Sequence, residues 1–325
     1  MIKVGIIGGS GYVAGELIRC LLHHPEAEID FIYSHSKADL AIEEVHGDLF
    51  TIKKIAFSQS INYAVDVVFL CMGHGHSRSF LEENEFSSST RIIDLSSDFR
   101  HNASRDLGNK QFYYGLLPLK KETIKNKKYI ANPGCFATAI QLALLPAANA
   151  HLLPQEVHIH GITGSTGAGG SLSETGHFSW RNNNISIYKP FQHQHLQEIS
   201  ESLKSLQPEF EGSLNFIPHR GNFTRGILAS VYFNSSIDEE DLVNLYSTYY
   251  ESDPYTSVTT QQVHLKQVVN TNHCLLQVQK IDGKVLITSV IDNLLKGAAG
   301  QAIQNMNILF NLDETSGLQL KASYF

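Results

Sequence analysis

The first half of the chain alternates short apolar runs, rich in β-branched residues, with stretches whose apolar positions recur at helical spacing. Ile2–Ile7 is such a run and predicts a buried strand, and residues 15–23 predict a helix. Further strands are predicted at residues 28–33, 66–72 and 91–95. Strands that alternate with helices form a parallel sheet, and such sheets bind ligands at the carboxyl ends of their strands.

From about residue 155 the pattern changes to longer runs separated by glycine-rich and polar loops, which predicts a mixed or antiparallel sheet. Its predicted strands are residues 156–162, 214–218, 226–233, 258–269, 274–280 and 284–289. Residues 293–310 are apolar at helical spacing, so we expect a helix that packs back onto the first domain.

The chain is therefore predicted to be an α/β protein with two domains. A Rossmann-type parallel-sheet domain would comprise residues 1–148 and 291–325, and an α+β domain with a mixed or antiparallel sheet would comprise residues 149–290. A length of 325 residues agrees with two domains, since single cores rarely grow so large.

Charge and composition narrow the class of protein. The net charge of -7 argues against a nucleic-acid partner. No run reaches the roughly 18–20 apolar residues that a membrane span needs, and the first strand begins where a signal peptide would lie. The cysteines are far apart in sequence, which suits a reducing compartment. We expect a cytoplasmic protein without a membrane partner.

A glycine-rich turn follows the first predicted strand and precedes the first predicted helix. Gly8, Gly11 and Gly15 give a variant of the dinucleotide fingerprint, in which backbone N–H groups approach a pyrophosphate at the helix N-terminus. The alternative is an ordinary strand–helix turn. The predicted cofactor-binding residues here are Gly8, Ser10, Gly11, Tyr12 and Val13.

The end of the second strand bears on the choice of cofactor. NAD enzymes usually carry an acid there for the ribose 2′-OH, but Asp30 of this chain lies inside the strand. Ser34, Ser36 and Lys37 follow the strand instead, and hydroxyls with a cation can hold a 2′-phosphate. NADP is therefore the predicted cofactor, the alternative being that these are solvated loop residues.

Cys135 is the predicted nucleophile. It follows the turn formed by Asn132, Pro133 and Gly134 and precedes an apolar stretch, which places it at a helix N-terminus where orphan N–H groups stabilise a thiolate. His219 ends a short predicted strand and could carry a proton, and Arg225 nearby could bind an anionic group. From spacing alone each of these two is as readily structural as functional.

Three histidine pairs raise the alternative of a metal site, namely His74/His76, His158/His160 and His193/His195. An HxH pair on a strand puts both rings on one face, but no third ligand stands at a diagnostic spacing. We expect no metal.

Taken together, these motifs resemble the N-acetyl-γ-glutamyl-phosphate reductase family, a branch of the semialdehyde dehydrogenases. The similarity runs nearly end to end, and NPGC, the PH–TRG pair and the DNLLKGAAGQA tail, in this order, are its most specific parts. The matching segments are residues 8–17 (GGSGYVAGEL), 93–100 (IDLSSDFR), 131–139 (ANPGCFATA), 164–169 (GSTGAG), 188–199 (YKPFQHQHLQEI), 217–227 (IPHRGNFTRGI) and 292–307 (DNLLKGAAGQAIQNMN).

The resemblance implies a role for each matching residue. Cys135 would be the nucleophile and His219 the acid/base. Gly167 and Asn293 would contact the cofactor, Asn293 near the nicotinamide. The expected substrate-binding residues are Asn132, Ser165, His195 and Arg225. The chain departs from the family pattern at Gly170, where an arginine is usual, and at Leu117, where a glutamate of the YGLPEL motif is lost.

The implied reaction is the NADPH-dependent reduction of N-acetyl-glutamyl 5-phosphate to N-acetyl-glutamate 5-semialdehyde and phosphate through a cysteine thioester, in arginine biosynthesis. The resemblance also implies a homo-oligomer, a dimer or tetramer. One alternative is a sister reductase for another acyl phosphate, such as N-succinyl-glutamyl, aspartyl or aminoadipyl phosphate. A second alternative is a redox-sensing NADP-binding regulator without turnover.

Overall fold

A computed structural model describes residues 1–50 and 55–325, and the chain divides into two compact units. Met1–Gly134 with Ala298–Gln319 form the first unit, and Cys135–Gly297 with Leu320–Phe325 form the second. We predicted boundaries after residues 148 and 290, and the structure differs at both. The helix that starts at Cys135 packs on the sheet of the second unit, so its residues belong there.

The first unit is built on a six-stranded parallel sheet in the strand order β2-β1-β3-β4-β8-β7. This confirms the predicted Rossmann-type architecture. The elements in chain order are β1 (Ile2–Ile7), α1 (Tyr12–Leu21), β2 (Ala27–Tyr33), β3 (Val67–Leu70), α2 (Ser77–Glu83), β4 (Arg91–Asp94), β5 (Asp106–Leu107), β6 (Lys110–Gln111), β7 (Tyr113–Tyr114), α3 (Leu117–Ile124) and β8 (Tyr129–Ala131).

The second unit is built on a seven-stranded mixed sheet in the order β10-β11-β9-β12-β15-β14-β13. This confirms the predicted second sheet. Its elements are α4 (Cys135–Asn149), β9 (Glu156–Thr163), α5 (Phe178–Arg181), β10 (Ser186–Ile187), α6 (His195–Leu206), β11 (Ser213–Arg220), β12 (Ile227–Asn234), α7 (Glu239–Tyr250), β13 (Thr256–Thr259), β14 (Cys274–Ile281) and β15 (Lys284–Ile291).

Helix α4 is the centre of the second unit's core, and all its residues from Phe136 to Ala148 are buried. Pro146 lies inside this helix. A proline has no N–H to donate to the carbonyl four residues earlier, which here belongs to Leu142. The buried Tyr250 hydroxyl of α7 donates to that carbonyl instead. The fold therefore supplies a side-chain donor where the helix lacks a main-chain one.

The predicted strand at residues 258–269 is wrong in most of its length. Only Thr256–Thr259 pairs in the sheet, and Leu265–Gln267 form a 3-10 turn. Val263 and Val268 are buried against Val290 rather than paired in a ladder. These valines are apolar because they pack in the core, and the sequence pattern alone did not distinguish such packing from a strand.

After β15 the chain forms a π-helical turn, Leu295–Ala299, that continues into α8 (Gly300–Leu309). The predicted tail helix is therefore confirmed, and α8 contacts α1 and α3 in the first unit. In the part of the chain that the structure describes, no helix combines the length and apolar character needed to cross a bilayer.

Candidate active site

Cys135 is the first residue of α4, as the NPG turn before it predicted. It is partly exposed, whereas Cys20 and Cys274 are buried. Burial raises the pKa of the Cys274 thiol to about 12 and raises that of Cys71 well above its usual value. A thiol that remains neutral is a poor nucleophile. Position and exposure together therefore favour Cys135 over these other cysteines.

Gly297 of the π-helical turn lies directly against Cys135. A Cβ atom added at Gly297 would lie 2.7 Å from the Cβ of Cys135, which is closer than two carbon atoms can approach. The Gly297 N–H donates to the Asp292 carbonyl five residues earlier, the bond that defines a π turn. The DNLLKGAAGQA motif thus packs against the sulfur-bearing residue at a position where only glycine fits.

Two side chains interact electrostatically near Cys135, namely Tyr188 and Arg220, and the sequence did not indicate this. Burial, followed by the negative charge of a Cys135 thiolate, raises the pKa of Tyr188 above its usual value. The Arg220 guanidinium lies over the Tyr188 ring at 4.8 Å and opposes that rise. Arg220 follows His219 in the PHRG segment, and from the sequence alone it looks like an ordinary surface cation.

The sheet register separates His219 from its neighbour Arg220. The ring of Phe216 packs edge-on against Phe136 of α4 at 5.1 Å, so the even-numbered positions of β11 face α4. His219 projects from the opposite face, where its ring stacks with His160 at 6.0 Å. Its Nδ1 is buried and has no hydrogen-bond partner among the residues that the structure describes. The acid/base role of His219 stays a prediction.

Two other imidazoles lie on the α4 side of the sheet. The His193 ring is 5.6 Å from Phe136 and 5.7 Å from Tyr188. Burial, helped by the charge of Lys189, lowers the pKa of His193 to about 4, so this ring is neutral at neutral pH. His195 begins α6, is buried, and packs 4.6 Å from His193. These packed positions suit a supporting role for His195.

The GSTGAG loop follows β9 and is hydrogen-bonded to the segment that precedes β12. The N–H groups of Gly164 and Ser165 donate to the carbonyls of Gly226 and Phe223 at 2.9 and 2.8 Å. Asn293 accepts from the Gly226 N–H at 2.7 Å and donates to Thr166 at 3.1 Å. Gly167 lies 3.2 Å from the Thr163 hydroxyl, measured from an ideal Cβ position. The structure thus brings Ser165, Gly167 and Asn293 together.

Arg225 is paired within the protein. Its Nε and one terminal nitrogen lie 3.1 and 3.0 Å from the same carboxylate oxygen of Asp292. Asp292 is fully buried and also accepts from the N–H groups of Asn270, Leu294 and Leu295. This pairing fixes the start of the π-helical turn, and the substrate role predicted for Arg225 remains a prediction.

Asn132 belongs to the first unit and is buried. Its side-chain amide donates to the Ala298 carbonyl at 3.0 Å and accepts from the Asn305 amide at 3.1 Å. These bonds use the Asn132 side chain to hold the turn before α4 against the end of the π-helical turn and against α8. The substrate role predicted for Asn132 is a separate expectation that these bonds do not test.

A cleft at the carboxyl end of the first unit's sheet contains the glycine-rich turn. Gly8, Ser10 and Gly11 line it. No atom lies within 4 Å of a Cβ built at Gly11, so the space beside it is open. Tyr12 and Val13 begin α1, where first-turn N–H groups have no acceptor inside the helix. These residues fit the phosphate groups of a dinucleotide.

Gly8, Gly9 and Gly15 of this turn also contact other parts of the first unit. The N–H groups of Gly8 and Gly9 both donate to the Tyr33 carbonyl, at 2.9 and 3.1 Å, and so hold the turn to β2. Gly15 packs against the His46 ring, whose Nδ1 would be 2.7 Å from an added Cβ. We expected Gly15 to help N–H groups reach a pyrophosphate, whereas the structure shows a packing role for it.

The residues after β2 line the same region of the first unit. Ser34, His35 and Ser36 border a cleft with Tyr33, and Ser34 donates to the Ser10 hydroxyl at 3.3 Å. Asp30, which lies inside β2, accepts from the side-chain amide of Asn62 at 2.9 Å. One carboxylate, that of Glu83 on α2, also borders the cleft. Lys37 is exposed in the turn that follows.

Two of the three histidine pairs, His158/His160 and His193/His195, have aromatic packing partners. His158 and His160 stack on Tyr232 at 5.0 and 6.3 Å. Within residues 1–50 and 55–325, no three histidine, cysteine or acidic side chains come close enough together to hold a metal ion.

Comparison with known proteins defines the class first. A family model described as "Semialdehyde dehydrogenase, NAD binding domain" matches residues 3–127, and one described as "Semialdehyde dehydrogenase, dimerisation domain" matches residues 135–293. Among solved structures, aspartate semialdehyde dehydrogenase II of Vibrio cholerae, complexed with ASA, superposes with a TM-score of 0.72. It is 16% identical, with 96% of this chain and 98% of that chain covered, so it shows a shared fold.

Closer relatives specify the branch of that class. N-acetyl-gamma-glutamyl-phosphate reductases of Christiangramia forsetii and Flavobacterium johnsoniae are 56% and 57% identical to this chain, each over the full length of both proteins. The protein of Bacteroides thetaiotaomicron with the same name is 50% identical, again over the whole of both chains. The chain belongs to the N-acetyl-γ-glutamyl-phosphate reductase family of semialdehyde dehydrogenases.

Proposed function

We propose that this chain reduces an N-acyl-γ-glutamyl phosphate to the corresponding semialdehyde, with NADPH as reductant and phosphate as the other product. The N-acetyl compound is the substrate that the names of its relatives indicate, and the step would belong to arginine biosynthesis. The observation that carries the proposal is Cys135, a partly exposed thiol at the N-terminus of α4 with Gly297 packed against it.

Cys135 is proposed to act as the nucleophile. Its thiolate would attack the γ-carbonyl carbon, the C–O bond to the phosphoryl group would break, and phosphate would leave a thioester on the sulfur. First-turn N–H groups of α4 have no acceptor within the helix, so they could stabilise the oxyanion that forms during the attack. A thioester still accepts a hydride but resists water better than an acyl phosphate does.

The second half of the reaction requires hydride and a proton carrier. Bound NADPH would supply the hydride, and the thioester carbonyl on Cys135 would become a thiohemiacetal. Cleavage of the C–S bond then returns the thiolate of Cys135 and releases the aldehyde. His219 is the proposed proton carrier, the role that the family resemblance implies for it. We propose that Asn132, Ser165, His195 and Arg225 shape the substrate site, with Gly167 and Asn293 on its cofactor side.

NADP rather than NAD is the proposed cofactor. The cleft at the end of β2 is bordered by the hydroxyls of Ser34 and Ser36 and by His35, with Lys37 following. Asp30 lies inside β2 rather than at its end, and its carboxylate accepts from Asn62. Aspartate semialdehyde dehydrogenase of Candida albicans, solved with NADP, superposes with a TM-score of 0.68 at 14% identity over 95% of this chain and 98% of that one.

The setting of the enzyme is part of the proposal. The second unit matches a family model described as a dimerisation domain, which supports a homo-oligomer. No disulfide joins the cysteines of the described residues, which supports a reducing compartment such as the cytoplasm. We also propose that the first unit binds the cofactor and the second binds the substrate.

One set of assays tests the proposal. Oxidation of NADPH and of NADH is followed with N-acetyl-glutamyl phosphate for the wild type, Cys135→Ser and the control Cys274→Ser. We expect Cys135→Ser to lose several orders of magnitude of turnover while NADPH binding survives. Without cofactor, mass spectrometry should find an acyl group on Cys135 of the wild type. Near-normal turnover in Cys135→Ser would refute the mechanism, and faster turnover with NADH would refute the cofactor assignment.

A further inference from the structure

Two arginines of the second unit have no acidic partner among the residues that the structure describes. Arg181 ends α5 and is only 7% exposed. Its Nε and one terminal nitrogen donate to the Thr175 carbonyl at 3.2 and 3.0 Å, and its other terminal nitrogen donates to the Arg220 carbonyl at 2.8 Å. All three bonds go to neutral carbonyls. They orient the guanidinium without neutralising it.

Arg220 is the second of these arginines. It ends β11 on the face that packs against α4, and its guanidinium lies 4.8 Å from the centre of the Tyr188 ring. Its Nε is buried and has no hydrogen-bond partner within the described part of the chain. Neither Arg181 nor Arg220 has a carboxylate within 4.0 Å among the described residues.

The two charges are near each other and near the nucleophile. Burial, with a further contribution from Arg220, lowers the pKa of Arg181. The Arg220 guanidinium lies 4.8 Å from the Tyr188 ring, and that ring lies 5.7 Å from the His193 ring. His193 in turn lies 5.6 Å from Phe136, the residue that follows Cys135 in α4. The buried charge of Arg181 beside the half-buried charge of Arg220 is costly unless a counter-charge completes the site. Arg225, by contrast, has the carboxylate of Asp292 at 3.0 Å.

We propose that Arg181 and Arg220 form an oxyanion site beside Cys135 that binds a carboxylate or phosphoryl group of the substrate. The site rests on the proposed function and makes it more specific. Guanidinium groups suit carboxylates and phosphates alike, because their N–H donors match pairs of oxygens. The occupant could be the phosphoryl group, the α-carboxylate of the glutamyl unit, or a second carboxylate carried by the N-acyl group.

Binding of three probes distinguishes these sources. Inorganic phosphate, N-acetylglutamate and N-succinylglutamate are titrated against the wild type, Arg220→Met and Arg220→Lys by calorimetry. We expect the affinity of at least one probe to fall about tenfold or more in Arg220→Met and to be partly retained in Arg220→Lys. Loss confined to phosphate identifies the phosphoryl group. Equal loss for both glutamates identifies the α-carboxylate, and loss confined to N-succinylglutamate identifies the acyl carboxylate.

Arg78→Met is the matched control, because Arg78 also donates to main-chain carbonyls and also stacks on an aromatic ring at 4.8 Å. It should leave all three affinities unchanged. If Arg220→Met fails to fold, Arg220→Gln replaces it as the uncharged variant. Affinities within about twofold of wild type for every probe would overturn the site.

Failure of this inference can be told apart from failure of the proposed function. A chain that binds a probe through Arg220 but never reduces N-acetyl- or N-succinyl-glutamyl phosphate would keep the oxyanion site and refute the reductase. A chain that reduces either compound with an unchanged KM in Arg220→Met, and whose probe affinities also stay unchanged, would keep the reductase and refute the oxyanion site.

Discussion

Two helices of this chain begin directly after a strand and a short turn, and they present different groups in their first turns. Helix α1 begins at Tyr12 after the glycine turn, and α4 begins at Cys135 after the NPG turn. Beside α1 the space at Gly11 is open, so a ligand there would meet main-chain N–H groups. Beside α4 the space is filled by Gly297. The first arrangement suits a bound anion, and the second suits a sulfur held in one position.

Of the substitutions that test this difference between the two helices, Gly297→Ala is expected to have the largest effect. The added Cβ would lie 2.7 Å from that of Cys135, so one of the two must move by about an ångström. A displacement of that size at a reacting atom costs about 100-fold in rate. We expect kcat/KM for the acyl phosphate to fall by about that factor, while the Kd of NADPH stays near the wild-type value.

Gly47→Ala is the control for this substitution. No atom lies within 4 Å of a Cβ built at Gly47, so an alanine fits there without displacing a neighbour. It should retain wild-type kcat/KM. Equal activity of Gly297→Ala and the wild type would show that the position of the sulfur is not fixed by this glycine.

The second prediction concerns the body of α4. Tyr250→Phe removes the donor to the Leu142 carbonyl, which Pro146 leaves without its usual helical partner. A buried carbonyl without a partner costs about 1–3 kcal/mol. We expect the free energy of unfolding, measured by urea denaturation, to fall by about 2 kcal/mol.

Tyr246→Phe provides the matched comparison. Tyr246 donates to the Ala143 carbonyl at 2.7 Å, but the helical N–H of Ala147 is four residues further along and can still reach that carbonyl. Its loss should therefore be smaller, about 1 kcal/mol. If the two variants lose equal stability, the proline does not explain the Tyr250 contact.

At α1 the contrast between neighbouring glycines can be tested directly. Gly11→Ala places a methyl group in open space where the pyrophosphate would approach, so we expect the Kd of NADPH to rise about tenfold with little change in stability. Gly9→Ala places a methyl group 2.3 Å from the Ile32 side chain, so it should lower stability by about 1–3 kcal/mol. Fluorescence titration measures the Kd of NADPH, and urea denaturation measures the free energy of unfolding. A Gly11→Ala protein that binds NADPH normally would contradict the proposed cofactor cleft.

Local pattern was sufficient to predict several elements. Ile2–Ile7 forms a strand with the predicted bounds, because Val4, Ile6 and Ile7 are buried in a parallel sheet. The NPG turn correctly predicted a helix from Cys135, because proline and glycine end the preceding strand. Both predictions used only neighbours in sequence.

The contacts that were missed join residues far apart in sequence. Gly297 meets Cys135 only through a π-helical turn, which has no sequence signature in a single chain. The proximity of Arg220, Tyr188 and Cys135 depends on the pairing of β10 with β11. Side-chain chemistry indicated which residues could react, but the register decided which of them meet.

The smallest predicted effect is a pH dependence at Asp94, which ends β4 and whose main-chain carbonyl accepts from Asn132 in the turn before α4. Burial raises the pKa of Asp94 from 3.8 to about 6, although Ser77, Ser96 and Arg100 oppose the rise. The folded state therefore holds this proton more tightly than the unfolded state does.

The stability that the protonated Asp94 contributes is complete below pH 3.8 and is lost as the pH rises through about 6. From about pH 5 to about pH 8, the wild type should lose about 1 kcal/mol of unfolding free energy relative to Asp94→Asn. Urea denaturation of both proteins across this range measures the difference. Since asparagine cannot titrate, a difference that does not change with pH would mean that Asp94 is ionised throughout, and that the strand ends beside the NPG turn hold a buried charge rather than a neutral carboxyl group.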